Sequence, residues 1–317
     1  INLRHNRIKG YDVPKSLLML KWLDLLYSIR ILRNLPDADI LITHTFWLPI
    51  LVRSTRSGKL YVHVGRSPKG QMKFYRHAAR LQTVSSPIAK RIQQELSEAD
   101  GELTKVLPYP LDPAFLQPVD LQKKRPSTLL FTGRIHPEKG LELLIKAFTS
   151  LPSRIKDNWK LRIVGPWKKE HGGAGIEYFN SLKVSSKDAG IQFVEPIFNQ
   201  QQLIAEYDNA CVFAYPSLAE QGETFGLSAL EAMSRGCLTL VSDLDCFKDF
   251  ISHGQNGFIF NHRTENPSNT LVKHLTRLLK SPEDYGNVAI NAVAKAQYYS
   301  PALVAKSFLA DFDYLTN

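Results

Sequence analysis

Cys211-Val212-Phe213-Ala214-Tyr215 is an apolar run, and a second one, Cys237-Leu238-Thr239-Leu240-Val241, lies a short way downstream. Between them runs Glu223-Thr224-Phe225-Gly226-Leu227-Ser228-Ala229-Leu230-Glu231-Ala232-Met233-Ser234-Arg235-Gly236. The two apolar runs read as strands, the polar stretch holding Gly222 and Gly226 as a loop, and the stretch around Glu231 as an amphipathic helix. A loop that feeds a helix N-terminus offers backbone N–H groups and the positive end of the helix dipole, a pairing suited to phosphate. Glu223 falls in the loop and Glu231 one turn into the helix, so two carboxylates bracket that cradle. The matching ligand carries hydroxyls on both sides of a phosphate.

The same unit repeats outward in both directions. Thr128-Leu129-Leu130-Phe131-Thr132 reads as a buried strand ending at Gly133, followed by a helix with Leu141, Leu144, Ile145 and Phe148 on one face. Leu161–Val164, stopped by Gly165-Pro166, and Ile191–Val194 are further strands, with a helix at about Gln200–Asn209. Strand–helix units of this length imply a parallel, doubly wound α/β sheet, whose ligands bind beyond the strand C-termini. Gly133, Gly165, Pro196 and Pro216 stand at such ends. Asp39–Thr43, Leu60–Val62 and Leu81–Val84 repeat the style less completely. The expected organisation is an N-terminal domain over 1–110, a proline-rich linker over 111–126, a C-terminal domain over 127–299, and a last helix over 300–317 that packs back on the N-terminal domain. Ser300-Pro301 supplies that helix with an N-cap and first residue. Leu17–Leu32 reads as a core-facing amphipathic helix, with a membrane-surface helix as the alternative. A further strand–loop–helix unit is expected before Ile1.

A chain of 317 residues has room for two domains, each with its own core. Cys211, Cys237 and Cys246 form no Cys-x-x-Cys pair and read as buried, reduced thiols of a cytoplasmic protein. No apolar stretch approaches the ~18 residues needed to span a bilayer. The formal charge of +10 is one-sided: residues 1–110 hold 18 Lys and Arg against 8 Asp and Glu, and residues 111–317 hold 22 against 22. Such a field suits an anionic membrane surface, an anionic acceptor or nucleic acid, or is a solvated face that aids solubility. No nucleic-acid recognition motif accompanies it, so nucleic acid is disfavoured.

Phe131-Thr132-Gly133-Arg134-Ile135-His136-Pro137-Glu138-Lys139-Gly140 is the second informative stretch. A buried strand ends, a guanidinium follows at once, and an ammonium comes five residues later at a helix start. Arginine offers planar bidentate donors to phosphate oxygens and lysine a mobile point charge, so together they can clamp a diphosphate. Alone, Arg-x4-Lys is two surface cations. With the Glu223 loop in the same domain, the pattern fits a nucleotide diphosphate sugar. No metal-ligand cluster is read at a strand end, so no essential metal ion and no cofactor besides the donor are expected.

On these motifs the chain resembles glycosyltransferase family 4, retaining nucleotide-sugar-dependent enzymes of GT-B fold with two Rossmann-like domains facing across a cleft. The likeness covers most of residues 39–317. It implies that Arg134 and Lys139 hold the donor diphosphate, Glu223 contacts the donor sugar and Glu231 binds the ribose hydroxyls. It also implies donor contacts along the loop through Thr224, with backbone amides of Phe225, Gly226 and Leu227 on phosphate or sugar oxygens. Pro196-Ile197 matches the family's base-binding loop. His63, in Tyr61-Val62-His63-Val64-Gly65-Arg66, matches a histidine that faces the donor sugar; taken without the family, a satisfied core or surface histidine is the simpler reading. Arg66 and Lys69 on the same loop could meet donor phosphate or an anionic acceptor. His44 and Trp47 could line an acceptor pocket or simply pack. His136 and His171 receive no role.

The implied reaction is transfer of a hexose, with UDP-glucose as first choice of donor, to a saccharide or lipid-linked saccharide with retention of configuration. Arg134 and Lys139 would stabilise the leaving diphosphate, with the departing phosphate itself taking the acceptor's proton. A glycosidase would need its carboxylates to flank one bond and would need no diphosphate clamp. A nucleotide-sugar epimerase of similar architecture would convert donor without acceptor. A non-catalytic nucleotide-sugar sensor would bind donor and give neither transfer nor hydrolysis.

Overall fold

The structure is a computed structural model that describes residues 16–52, 58–96, 101–187 and 190–317. It divides into two compact units, an N-terminal one of residues 1–108 with 305–317 and a C-terminal one of residues 109–304.

The N-terminal unit runs α1 (Leu17–Leu32), β1 (Ile40–Thr43), α2 (Leu48–Leu51), β2 (Lys59–Val64), β3 (Arg80–Thr83), α3 (Ser86–Leu96) and β4 (Thr104–Val106). Among its described residues, four strands run parallel in the order β1-β2-β3-β4. The inner strand β3 is buried at all four positions and the edge strand β1 at one. Arg80 of β3 forks onto Asp311, Nη2 to Oδ1 at 2.7 Å and Nε to Oδ2 at 3.0 Å, and Tyr61 donates to the same carboxylate at 3.0 Å. Asp311 belongs to the last helix, so residues 305–317 are held in this unit by a buried ion pair with its hydrogen bonds made. Burial, then the Asp311 carboxylate, keeps the Tyr61 hydroxyl protonated well above its ordinary range.

Helix α1 departs from the core-facing expectation. Ser28 is buried, whereas Leu18, Trp22 and Leu26 are 71, 61 and 57 % exposed. These three recur at i, i+4 and i+8, so they form one apolar stripe on the side away from Ser28. Apolar residues occur nearly all round this helix, which is why its composition does not say which side packs.

The C-terminal unit runs β5 (Thr128–Thr132), α4 (Leu141–Thr149), α5 (Ser153–Lys156), β6 (Lys160–Val164), α6 (Ile176–Ser185), β7 (Ile191–Val194), α7 (Gln200–Asp208), β8 (Val212–Tyr215), α8 (Leu227–Ser234), β9 (Leu238–Ser242), β10 (Phe258–Phe260), α9 (Pro267–Lys280) and α10 (Gly286–Gln297). Helix α11 (Pro301–Thr316) starts here, with Ser300 Oγ accepting from the Leu303 N–H at 3.4 Å, and ends among the residues grouped with the N-terminal unit. Among its described residues, six strands run parallel in the order β10-β9-β8-β5-β6-β7. The chain moves outward from β5 through β6 and β7, then returns to the other side of β5 with β8. That reversal puts the topological switch point between β5 and β8, where open α/β sheets bind ligands.

β5, β8 and β9 are buried at every position because helices cover both faces of a parallel sheet. The proline-rich segment after 108 groups with this unit. The Leu111 N–H donates to the Tyr299 carbonyl at 2.8 Å, and Arg235 donates to the Gln117 carbonyl at 2.8 Å. The three cysteines are free thiols; Cys237 and Cys246 are buried and Cys211 half-buried.

Candidate functional site

The two informative stretches leave the sheet side by side, one after β5 and one after β8. Gly140 closes the first, with φ +70°, and a Cβ there would sit 2.0 Å from the Pro216 carbonyl oxygen of the second. Only glycine fits that approach. The Glu138 carbonyl accepts the Leu218 N–H at 2.8 Å, which ties the two loops together. His136 has a structural task that the sequence reading missed: its Nδ1 accepts the Glu138 N–H at 3.4 Å and caps the short 3-10 turn Pro137–Lys139.

Both expected phosphate cations are paired. Arg134 is half-exposed and donates to Glu138 Oε1 at 2.7 Å and to the Gly172 carbonyl at 2.9 Å. Lys139 is buried, with Nζ 2.8 Å from Glu223 Oε2 and 5.5 Å from the centre of the Tyr215 ring. Burial, then the Glu223 carboxylate, holds the Tyr215 hydroxyl protonated well above its ordinary value. Lys139 and Glu223, 84 residues apart in sequence, thus form one buried ion pair at the switch point.

Gly226 is the N-cap of α8, with φ +86° and no side-chain cap. A Cβ there would lie 2.3 Å from the Phe247 ring, so the helix start is built on glycine for space as well as conformation. The Phe225 ring is buried between Phe250 and Tyr299, at 5.7 and 6.0 Å, which fixes the loop before the helix. The Ala229 N–H donates to the Gly226 carbonyl at 3.0 Å, whereas the N–H groups of Leu227 and Ser228, in the first turn, have no intrahelical acceptor and suit an anion.

One turn along, Glu231 Oε2 accepts from Tyr207 Oη at 2.7 Å, and Tyr207 Oη lies 2.6 Å from Thr132 Oγ1. Glu231 being the acceptor, the tyrosine proton points to it and Thr132 supplies the bond behind. Burial lifts the Glu231 carboxyl to about 7; the Tyr207 hydrogen bond opposes the rise and the Asp112 charge adds to it. Glu231 and Leu227 line a cavity of about 510 Å³ with Leu111, Phe115, Phe198 and Gln200. Phe198 directly follows Pro196-Ile197 on the loop from β7 to α7, so that loop borders the Glu231 cavity. Arg134, Lys139 and Glu223 are not among its lining residues.

In the N-terminal unit, His63 lies on β2 with Nδ1 against Gln82 Oε1. Gln82 spends its amide hydrogens on the Thr83 and Leu107 carbonyls at 2.9 and 2.7 Å. Its oxygen therefore faces the imidazole, and Nδ1 donates to it. Neither Gln82 nor Tyr207 was legible as a partner in sequence. Arg66, Lys69 and His44 are exposed. Trp47 donates from Nε1 to the Lys21 carbonyl at 2.9 Å, which makes it a packing anchor for α1.

Asp243-Leu244-Asp245 follows the end of β9. Both carboxylates take Lys248, at 2.8 and 3.0 Å, and Asp243 also takes Arg263 at 3.4 Å. Among the described residues no group of three or more His, Cys, Asp or Glu side chains could hold a metal ion.

Two parallel-sheet α/β units with these paired loops are the GT-B architecture. Residues 115–295 match the profile described as Glycosyl transferases group 1, and the chain belongs to that family. Lipopolysaccharide 1,2-N-acetylglucosaminetransferase of Salmonella typhimurium is 30% identical over 159 residues, 50% of this chain and 40% of that one. Alpha-monoglucosyldiacylglycerol synthase of Acholeplasma laidlawii is 35% identical over 178 residues, 56% of this chain and 41% of that one. The chain spans about half the length, 40–54%, of such curated relatives. Among solved structures, Anabaena Alr3699/HepE in complex with UDP and glucose superposes with a TM-score of 0.72 at 18% identity, covering 96% of this chain and 84% of that one. At such identity the likeness concerns the fold.

Proposed function

We propose that the protein is a retaining glycosyltransferase that moves a hexose from a nucleotide diphosphate sugar, UDP-glucose being the first choice, to a saccharide or lipid-linked saccharide. The observation that carries this is the meeting of Lys139 and Glu223, beside the uncapped start of α8, at the switch point of the C-terminal sheet. In this reading the diphosphate lies at the α8 N-terminus and takes Arg134 and Lys139. The sugar meets Glu223, the ribose hydroxyls donate to Glu231, and the base enters the cavity beside Ile197 and Phe198. The UDP and glucose bound to Alr3699/HepE favour a UDP-sugar, and the relatives that act on lipopolysaccharide and diacylglycerol favour a saccharide or lipid acceptor.

Charge builds on the leaving diphosphate as the glycosidic bond breaks. Preorganised cations there stabilise the transition state more than the ground state. No protein group is assigned to the covalent or proton-transfer step: the leaving phosphate oxygen takes the acceptor's proton on the face it departs from. Glu223 and Glu231 measure out the donor and do no acid–base work. No metal ion is required in this scheme. His63 would face the donor sugar, as the family resemblance implies, while Arg66 and Lys69 suit an anionic acceptor. The basic excess before residue 110 and the apolar stripe on α1 favour a peripheral site on an anionic membrane face. No helix among the described residues is long and apolar enough to cross a membrane.

The test is a panel of UDP-, GDP- and ADP-sugars scored for thermal stabilisation and for slow hydrolysis, with and without saccharide acceptors. Hydrolysis or transfer of one donor class supports the assignment. Interconversion of donor sugars without acceptor would make the protein an epimerase, and stabilisation with no turnover in any arm would make it a sensor.

A further inference from the structure

A cavity of about 900 Å³ in the C-terminal unit lies away from the switch point, at the opposite end of the sheet. Its wall takes residues from the N-terminal ends of strands: Ser127 before β5, Trp159 before β6, Cys211 before β8 and Leu238 at the start of β9. None of the expected donor-site residues lines it. Its size falls within the range of small-molecule sites.

The wall is built rather than incidental. Gly236 has φ +71°, and a Cβ there would meet the Leu121 side chain at 2.3 Å, so the segment that forms one side is seated closely on the turn before β9. Arg125 on the same segment donates to the Ala210 carbonyl at 3.0 Å and reaches the Arg235 carbonyl, which fixes its course. The floor is apolar: Trp159 and Leu238 are 7 and 4% exposed, and the Trp159 ring N–H is spent on the Leu279 carbonyl at 3.1 Å. Tyr285 supplies a half-buried aromatic face, held by Arg277 Nε on its hydroxyl at 2.6 Å.

The rim carries Lys123, Lys124, Arg154 and Lys280, against one carboxylate, Glu283. None of these four cations is in an ion pair among the described residues, although acids and bases are equal in number over residues 111–317. A stretch with no net charge, residues 111–317, has therefore gathered cations outside any ion pair round one concave, apolar-floored space. Such a space suits an anion with a carbon body.

We propose that this cavity binds an organic phosphate, the phosphate at the Lys123, Lys124, Arg154 and Lys280 rim and the carbon body on the Trp159, Leu238 and Tyr285 floor. The site is separate from the donor site and does not depend on its assignment. The phosphate can come from a soluble metabolite or from a lipid headgroup.

The probe is 1-naphthyl phosphate, titrated in the presence of saturating UDP, with 1-naphthol as the neutral control. Saturable binding is expected, weakened roughly tenfold or more in the Lys124→Ala/Arg154→Ala double variant and in the neutral control. Both substituted side chains are exposed, and an unchanged melting temperature confirms the fold. Cys211 gives a second readout. It lies on the cavity wall, and the other two thiols are buried, so its slow alkylation near neutral pH, where the rim lysines stay charged, should slow further when the probe is bound. Co-sedimentation with phosphatidylcholine vesicles containing phosphatidic acid distinguishes the sources. Capture lost in the double variant assigns a lipid phosphate, and no difference in capture alongside probe binding assigns a soluble one. No saturable binding up to about 5 mM, equal binding by 1-naphthol, or binding indifferent to the double variant would overturn the site.

Discussion

Tyr207→Phe removes one oxygen and should shift the pH range over which the protein binds UDP. Tyr207 Oη donates to Glu231 Oε2 at 2.7 Å and opposes the rise that burial imposes on that carboxyl, which stands at about 7. The charged neighbour that works against ionisation is Asp112; Arg235, one turn further on α8, is taken by Asp208 at 2.7 Å. A hydrogen bond to a charged group is worth roughly 1.5–3 kcal/mol, or about one to two pKa units, so its loss moves Glu231 to roughly 8–9. Ribose hydroxyls donate, and the carboxylate receives them better than the acid. Donor binding should therefore tighten as pH rises through about 7 in the natural protein and through roughly 8–9 in the variant. At neutral pH the ionised fraction falls from about one half to between about one in ten and one in a hundred. UDP affinity should then drop roughly five- to fiftyfold, with the difference nearly gone by about pH 9.5. The stability sign runs the other way: a raised carboxyl pKa means that folding stability falls as pH climbs from the ordinary carboxylate range through about 7. The assay is calorimetric titration of UDP from about pH 6 to pH 9.5 on both proteins. An unmoved midpoint in a variant that melts like the natural protein would refute the reasoning, and no UDP binding by either would refute the donor site instead.

Arg134→Ala should lower transfer on the order of 100-fold, because it removes a cation aimed at developing charge; steady-state rates near those of the natural protein would remove it from the site. Lys139→Ala leaves Glu223 buried without its partner and should cost roughly 3–5 kcal/mol in denaturant unfolding. Replacing both members, Lys139→Met with Glu223→Leu, should cost less while still abolishing transfer. Gly226→Ala must accept a left-handed residue and a clash with Phe247, so it should lose roughly 1–3 kcal/mol, together with UDP affinity. Glu138→Gln frees Arg134 from a part-exposed pair and should tighten UDP binding by a few-fold at most; weaker binding would show that Glu138 orients the guanidinium.

The C-terminal unit could be read from sequence because its central strands are buried on both faces and so contain apolar runs with clear ends. Thr128–Thr132 and Leu238–Ser242 are buried throughout, and glycine or aspartate follows at once. The N-terminal unit was harder for the same reason. β1 is an edge strand with one buried position, and α1 has apolar residues nearly all round, so neither pattern names its inner face. The candidate site's residue types stand out where chemistry and position coincide, as in a guanidinium at a strand end or a carboxylate inside a glycine-bearing loop. Their partners were not. Tyr207 looks like any core aromatic on α7, and only the packing of α7 against β5 and α8 turns its hydroxyl to Thr132 and Glu231.

In the proposed reading, the pairings also explain how a site for a dianion stays folded without one. Lys139 cannot stand alone where it is buried, so Glu223 neutralises it, and because both are desolvated the pair is costly to separate. Arg134 is nearer solvent, and its pair with Glu138 is of the exposed kind that contributes little. In the proposed reading, a diphosphate arriving at the α8 N-terminus meets one cation that is cheap to redirect and one that is fixed. Arg134 can turn from Glu138 to phosphate while Lys139 keeps Glu223 and adds a phosphate oxygen to its remaining hydrogens. Glu223 is then held where the sugar hydroxyls arrive, because the ammonium that binds phosphate also fixes the carboxylate. On this account the buried ion pair is the joint between the phosphate and sugar ends of the donor site, and the double substitution above separates its structural part from its binding part.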